Sequence, residues 1–295
     1  MSQQLWTICT QRYFKLQLRI RSPLTHKQYK IAIGNFSESL GHEATLDDLT
    51  DDNVTLMMSF LLEKEISPRT VNERRQRICA LWSWLAKRGE VTKWPTVQDM
   101  PIAQRTPKAW TESEVARLFD AAQNMTGRVG KCPARLFWPA MLWLAWDTGE
   151  RIGAILQAKW DHVSGNILTI PAELRKGKRK DARYVLWPET LVALRDVQSL
   201  TTSENLLPWP YSQEMVWYRY GQVVNAAGLP RTRYTMFHCI RRTFATQIHI
   251  HGGDATAALM HDSASTTRKS YLDPSQNRNQ PHDLIKKLSD LKPSA

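Results

Sequence analysis

The chain has 295 residues, of which 42% are hydrophobic and 23% charged, a mixture that excludes an intrinsically disordered chain. It carries 40 lysine and arginine residues against 28 aspartate and glutamate residues, and this net charge of +12 favours nucleic acid as a partner, because released counterions drive binding. The four cysteines form no CxxC pair, and no apolar run reaches the ~20 residues of a membrane span; we therefore expect a cytoplasmic protein.

The first 94 residues have the patterning of a helical domain. Apolar residues recur at helical spacing in residues 26–40, which end at Gly41, and in residues 54–64, which begin with an acidic turn. Pro68 lies just inside a third helix that stops at Gly89. Because no strand alternation interrupts this region, the sequence predicts a small helical domain over residues 1–94.

The third helix has a basic edge. Arg74 and Arg77 lie three residues apart on one flank, and Arg69 lies in the first turn. Such an edge either contacts DNA phosphates or is a solvated face, and the helix taken alone favours the solvated face. The prediction that these arginines bind DNA therefore depends on the rest of the chain.

A second domain follows a segment that contains three prolines. Residues 95–110 show no periodicity, which indicates a linker. Helical patterns resume in residues 111–295, beginning with a capping box at Thr111. The segments 166–171 and 182–187 are β-prone and flank a very basic turn, which predicts one hairpin. The predicted fold class is mainly α with a small β-sheet (α+β).

Two helix-associated features of this second domain could carry chemistry. Arg151 follows a helix end at Gly149, and a guanidinium at such a corner can hold a phosphate with two parallel hydrogen bonds. His238 and Arg241 lie three residues apart and therefore point the same way from their helix. Taken singly, the first is more often a surface arginine, and the second is as often a packed structural histidine.

Two further features lie in polar, basic segments. His261 is followed ten residues later by Tyr271, and the predicted hairpin turn carries Lys176 and Lys178. A lone tyrosine in such a segment is normally a half-buried surface residue, and a basic turn is usually solvated. Each signal is weak by itself, so the interpretation depends on their combination.

Together these features resemble the tyrosine recombinase (phage integrase) family, and they follow one another in the family's order. The family pattern is an Arg in a T-G-x-R corner, a Lys on a β-hairpin, H-x-x-R, a second His in L-G-H, and a Tyr nine or ten residues later. The matching residues here are Arg151, Lys176, His238, Arg241, His261 and Tyr271. The resemblance covers residues 111 to about 285 and implies a core-binding domain followed by a catalytic domain.

The resemblance also implies a role for each matching residue. Tyr271 would attack a DNA phosphodiester and form a 3′-phosphotyrosyl link, with His238 assisting the loss of the phenol proton. Arg151 and Arg241 would stabilise the charge that develops on the phosphate, and His261 would hydrogen-bond to it. A hairpin lysine would protonate the leaving 5′ oxygen. Neither a metal nor any other cofactor is implied.

Three positions depart from the family pattern. The family usually has an acidic residue three positions after the first arginine, where this chain has Ala154; Glu150 or another carboxylate could substitute for it. Met260 stands where L-G-H has glycine. Counting from the first strand favours Lys176 as the hairpin lysine, whereas counting from the second favours Lys178. Lys178 is also predicted to contact DNA, as is Arg242.

The expected function is site-specific recombination of double-stranded DNA by a homotetramer, in which an apolar face within residues 283–291 packs against a neighbouring subunit. Two alternatives stay open. A type IB topoisomerase-like nicking-closing enzyme would share these residues but would need no particular DNA site. A non-catalytic DNA-binding regulator would bind specifically without cleaving.

Overall fold

The computed structural model describes residues 3–18, 20–175 and 180–276, and the chain divides into two compact units, Met1–Gln104 and Arg105–Ala295. The division falls inside the segment predicted as a linker. The Asn72 side chain binds the backbone of Met100 through two hydrogen bonds of 2.8 and 2.9 Å, so this part of the segment belongs to the first unit. Trp110, at its other end, is fully buried in the core of the second unit.

The first unit is helical. Its helices are α1 (Leu5–Ile8), α2 (Phe14–Leu16), α3 (Pro23–Leu40), α4 (Asp51–Glu63) and α5 (Pro68–Ala86), with a π-helical turn at Cys9–Tyr13 and a 3-10 turn at Leu46–Asp48. The three helices predicted from the sequence are α3, α4 and α5. Gly41 ends α3 with a φ of 76°, and the Thr50 hydroxyl accepts the Asn53 amide at 3.2 Å at the start of α4.

The second unit contains the remaining elements. Its helices are α6 (Glu112–Gln123), α7 (Ala134–Thr148), α8 (Ile152–Ile155), α9 (Pro188–Gln198), α10 (Gln213–Ala226), α11 (His238–Ile250), α12 (Ala255–Ala258) and α13 (Ala264–Ser270), with 3-10 turns at Trp160–His162, Ala172–Leu174 and Pro274–Gln276. Its strands are β1 (Arg128–Val129), β2 (Cys132–Pro133), β3 (Val163–Ser164), β4 (Ile167–Ile170) and β5 (Ala182–Val185).

Helix α7 is the centre of the second unit. It is apolar nearly all round, and helices α6, α9 and α11 pack against it. Trp138 and Pro139 are among its buried residues, and Gly149 ends it in the left-handed conformation. Helix α7 therefore ends at Gly149, two residues before Arg151, the first of the predicted site residues.

Two small antiparallel sheets accompany these helices. The predicted hairpin is formed by β4 and β5, paired from Ile167 with Val185 to Ile170 with Ala182, and β3 extends it to three strands. The pair β1–β2 was not predicted, because two residues per strand are too few to produce an alternating pattern. The fold is thus mainly α with small sheets, which confirms the predicted fold class. Within the described ranges, no helix is long and apolar enough to cross a membrane.

Candidate active site

The corner after α7 is built around Gly149. Its φ of 57° favours glycine, and a Cβ there would lie 2.3 Å from the Phe244 ring, so no larger residue fits without a shift. Two residues later Arg151 adopts an extended conformation and begins α8, with its side chain half-buried. The guanidinium of Arg151 is thus held at a helix corner, as the sequence predicts.

Helix α11 brings Arg241 to this corner. Arg241 is only 2% exposed; its Nη1 donates to the carbonyl of Gly149, and its Nη2 donates to the carbonyl of Leu259 at 3.2 Å. Its Nε is buried without a hydrogen-bond partner among the described atoms. A buried N–H without a partner is costly, so the contacts of the two Nη atoms impose this orientation of the guanidinium.

His261 lies between Arg241 and the segment that carries the tyrosine. Its Nε2 is 3.1 Å from Arg241 Nη2, and its Nδ1 is 2.9 Å from the Thr267 hydroxyl. Because arginine can only donate, Nε2 must accept, and Nδ1 must carry the proton. Burial and the charges of Arg241 and Arg151 lower the pKa of His261 to about 4, so its ring is neutral at pH 7.

Tyr271 completes the cluster. Its ring centroid lies 4.5 Å from that of His261, 5.2 Å from that of His238 and 5.3 Å from the guanidinium carbon of Arg241. Tyr271 is 7% exposed, and the Thr246 hydroxyl donates to its carbonyl at 3.3 Å. The nucleophile candidate is therefore packed against both histidines and one arginine of the same chain.

His238 stands at the first turn of α11 with an exposed side chain. The protein atoms that crowd its ring, followed by the charges of Arg242, Arg241 and Arg151, lower the pKa of His238 to about 4. The lowered pKa keeps the ring neutral near pH 7, a state in which it can accept a proton.

A buried carboxylate, Glu150, underlies these groups. One oxygen accepts Nε of Arg175 at 2.5 Å and the hydroxyl of Tyr184 at 3.1 Å, while the other accepts the amide of Arg151 at 2.6 Å and lies 3.8 Å from Arg241 Nη1. Burial acts to raise the pKa of Glu150, but the Arg151 amide and the two guanidiniums outweigh it and hold that pKa below its ordinary value. Glu150, one of the carboxylates that could substitute for an acidic residue at position 154, therefore lies in this cluster, whereas Ala154 is buried.

The hairpin is only partly described. Lys176 and Lys178 lie outside the described residues, as does the predicted apolar face within 283–291. Arg175, which the sequence placed in a solvated turn, is instead buried, and its Nη1 donates to the carbonyl of Lys180 at 3.1 Å. Its position at the Glu150 carboxylate was not foreseen.

The predicted DNA-binding residues fall into two groups. Arg69 is exposed on α5, while Arg74 donates to Gln28 Oε1 at 2.6 Å and Arg77 to the carbonyl of Glu73 at 2.6 Å, both half-buried. Arg242 differs from its prediction. It is only 6% exposed and donates to the carbonyl of Tyr234, so it holds a neighbouring loop and presents little surface to DNA.

The loop held by Arg242 forms a basic surface that the sequence interpretation missed. Arg105 donates to the Tyr234 hydroxyl at 2.7 Å, and the guanidinium of Arg233 lies 5.6 Å from the Tyr234 ring. Arg231 packs on α10 at Gly221, where an added Cβ would lie 2.4 Å from its Nε. The signal in the sequence was the pair Arg231 and Arg233, shortly before His238, which was not singled out.

The neutral state of the two histidines has a consequence for stability. In the unfolded chain each ring has a pKa near 6.5, whereas the folded value is about 4, so between these values the unfolded chain binds more protons. We expect the contribution of these two histidines to the free energy of unfolding to be constant above about pH 7.5 and to fall as the pH drops through 6.5 toward 4. Thermal melts at pH values between about 7.5 and 4.5 measure this fall. His261→Gln should reduce it, and an unchanged acid dependence in that variant would contradict the assignment.

The sequence comparison identifies the class of enzyme to which this fold and this cluster of residues belong. The model described as the phage integrase family matches residues 108–278, more than half of the chain. The chain therefore belongs to the tyrosine recombinase (phage integrase) family, whose function is site-specific DNA recombination. No curated protein sequence matches the chain.

Solved structures show the same fold at low sequence identity. A lambda integrase fragment in a dimer bound to a COC′ core site superposes with a TM-score of 0.73 at 17% identity, over 95% of this chain and 99% of that one. A lambda integrase tetramer bound to a Holliday junction gives 0.70 at 19%, over 97% and 81%. The Tn1549 transposon integrase in complex with circular intermediate DNA gives a TM-score of 0.70 at 14% identity, over 90% of this chain and 94% of that one.

Within the described part of this chain, no group of three or more His, Cys, Asp or Glu residues is placed to hold a metal ion.

Proposed function

We propose that this recombinase cleaves double-stranded DNA by attack of the Tyr271 oxygen on a phosphodiester. The new bond joins that oxygen to phosphorus, the bond from phosphorus to the 5′ oxygen breaks, and the products are a 3′-phosphotyrosyl link and a free 5′ hydroxyl. The observation that carries this proposal is the packing of Tyr271 against His238, His261 and Arg241. Because the link conserves the phosphodiester energy, a second DNA end can reverse the step.

The charge of the pocket supports the proposal. Arg151, Arg175 and Arg241 bring three positive charges and Glu150 one negative charge, which leaves a surplus of two with both histidines neutral. A phosphate under attack gains negative charge, and preorganised cationic donors stabilise that charge without reorganisation. Arg241 and Arg151 are the proposed donors, since each guanidinium is permanently charged and forked.

The histidines have different proposed roles. His238 is exposed, close to Tyr271 and neutral at pH 7, which suits removal of the phenol proton. His261 was expected to hydrogen-bond the phosphate, but both its ring nitrogens are engaged, one by Arg241 and one by Thr267. We therefore assign it to orienting the Arg241 fork. The proton for the leaving 5′ oxygen comes from Lys176 or Lys178.

The proposed partner is double-stranded DNA bound by a homotetramer during strand exchange, with both units of each chain contacting the duplex. The lambda and Tn1549 structures, solved with DNA, support this arrangement. The nucleophile and the basic pocket belong to one chain, which supports cleavage by each subunit with its own tyrosine.

The test uses a duplex that carries a nick near the cleavage position, so that the fragment with the 5′ hydroxyl diffuses away after cleavage. On a duplex that contains its own site, a recombinase accumulates a protein–DNA complex that survives denaturation. A topoisomerase-like enzyme would instead relax supercoiled plasmid that lacks the site. Tight specific binding without any adduct would favour the regulator and overturn the proposal.

The missed basic surface should contribute to DNA affinity. Arg231 and Arg233 are exposed beside the active-site helix α11, so each is proposed to neutralise a phosphate. Arg231→Gln combined with Arg233→Gln is expected to reduce the slope of log affinity against log salt by about 1 for each arginine, measured between about 50 and 200 mM salt. Arg195→Gln on the exposed side of α9 is the control. An unchanged slope in the double variant would remove this surface from the DNA interface.

A further inference from the structure

The buried ion pair between Glu150 and Arg175 has no assigned part in the reaction, although it lies directly beneath the phosphate-binding groups. The side chains of Glu150 and Arg175 are 0% and 7% exposed, and their atoms approach to 2.5 Å. Burying charges is expensive even when they are paired, so a pair at this position is weak evidence for stability. Its contacts indicate a role in positioning neighbouring residues.

Four chain segments meet at this pair. Glu150 precedes Arg151 at the α7 corner, and Arg175 binds the carbonyl of Lys180 across the base of the hairpin at 3.1 Å. Arg241 of α11 lies 3.8 Å from the Glu150 carboxylate. The fourth segment is the loop before His261, where the Met260 sulfur lies 3.5 Å from Arg175 Nη1.

The backbone conformation of Met260 is a second observation at the place where these four segments meet. Its φ of 51° lies in the left-handed region, which a side chain other than glycine adopts only at an energetic cost. Glycine would remove that cost, but it would also remove the thioether that reaches Arg175. Strain of this kind persists where the surrounding structure imposes it, and it concentrates at functional sites.

We propose that Glu150 and Arg175 form a positioning pair, in which the Glu150 carboxylate holds the Arg241 guanidinium in its phosphate-binding orientation and Arg175 fixes that carboxylate to the hairpin. This inference rests on the proposed function. The carboxylate lies between two buried guanidiniums, so it attracts both. The carboxylate accepts hydrogen bonds through both of its oxygens, from the Arg151 amide and from Arg175 Nε, whereas glutamine at position 150 has one acceptor oxygen. Its NH₂ group would therefore face one of these two donors.

The test measures the single-turnover rate of adduct formation on the nicked duplex as a function of enzyme concentration. Glu150→Gln is expected to lower the rate at saturating enzyme at least about 10²-fold, with the half-saturating concentration changed by less than about threefold. Glu204→Gln is the matched control. It makes the same chemical change in the exposed ion pair with Lys159, outside the active site, and should leave the rate unchanged.

A second variant separates positioning from stability, and it also serves if Glu150→Gln folds poorly. Combining Glu150→Gln with Arg175→Gln replaces the ion pair by a neutral pair and removes the unpaired charge of Arg175, so the melting temperature should rise above that of Glu150→Gln. The rate should stay at least about 30-fold below that of the parent, because Arg241 still lacks its counter-charge. Recovery of the rate together with the melting temperature would overturn the inference. An absence of adduct in the unaltered chain would instead refute the proposed function, and this inference with it.

Discussion

Replacing Tyr271 by phenylalanine is expected to abolish the covalent DNA adduct and to leave DNA binding unchanged. Phenylalanine keeps the ring that packs against His238 and His261, and the hydrogen bond from Thr246 goes to the backbone carbonyl, which the substitution does not alter. The only atom removed is the oxygen that would bond to phosphorus. The nicked duplex measures the adduct, and a gel-shift titration of the same duplex measures binding.

The matched control for this variant is Tyr211→Phe, which also removes a single phenol oxygen. That oxygen accepts a hydrogen bond of 3.2 Å from the Gly130 amide, at the turn between β1 and β2. Adduct formation should proceed in this control at the parental rate. An adduct that survived in Tyr271→Phe would show that another residue is the nucleophile.

The second large effect is expected from Arg241→Lys. Lysine keeps the charge, but a single ammonium cannot bind the carbonyls of Gly149 and Leu259 and the ring nitrogen of His261 in the fixed directions of a guanidinium. We expect adduct formation to slow by about 10²–10³, the usual cost of losing one preorganised donor. Single-turnover kinetics at saturating enzyme measure the loss.

Two controls accompany this variant. Arg195→Lys makes the same chemical change at an exposed position of α9 and should leave the rate unchanged. A thermal melt establishes what fraction of Arg241→Lys is folded at the assay temperature, because the side chain it alters is buried. A rate that matched the parent after correction for the folded fraction would contradict the phosphate-binding role of Arg241.

Local sequence signals predicted the elements that local physics determines. Gly41 and Gly149 both end helices in the left-handed conformation that glycine adopts at no steric cost, and the capping box at Thr111 begins α6. The hairpin of β4 and β5 was visible as two β-prone runs around a basic turn. In each case the residues that decide the conformation are neighbours in the chain.

The family resemblance predicted that Arg151, His238 and Tyr271 would lie in one site. Their spacing along the chain does not by itself indicate that these distant segments meet. Burial was the least predictable property. Arg241 and Arg242 are adjacent on α11, and both are buried, although arginine side chains are mostly exposed in proteins. A buried charge depends on partners such as Gly149 and Tyr234, which only tertiary contacts supply.

Glu150 illustrates the same limit. The sequence showed that the acidic residue expected at position 154 is missing, and it offered Glu150 as one possible replacement. Its neighbours Arg175 and Tyr184 come from the hairpin, far along the chain, and neither carries a local signal for this contact. The loss of a family residue could thus be seen in the sequence, whereas the network that replaces it could not.

The most direct test of this account identifies the atom that carries the DNA. The adduct formed on the nicked duplex is digested with nuclease and trypsin, which releases residues 270–278 as one peptide, and fragmentation by mass spectrometry locates the attached nucleotide. The account predicts a 3′-phosphonucleotide on Tyr271. A nucleotide on Ser270 or Ser275 of the same peptide, on any other peptide, or joined through a 5′ phosphate would contradict it.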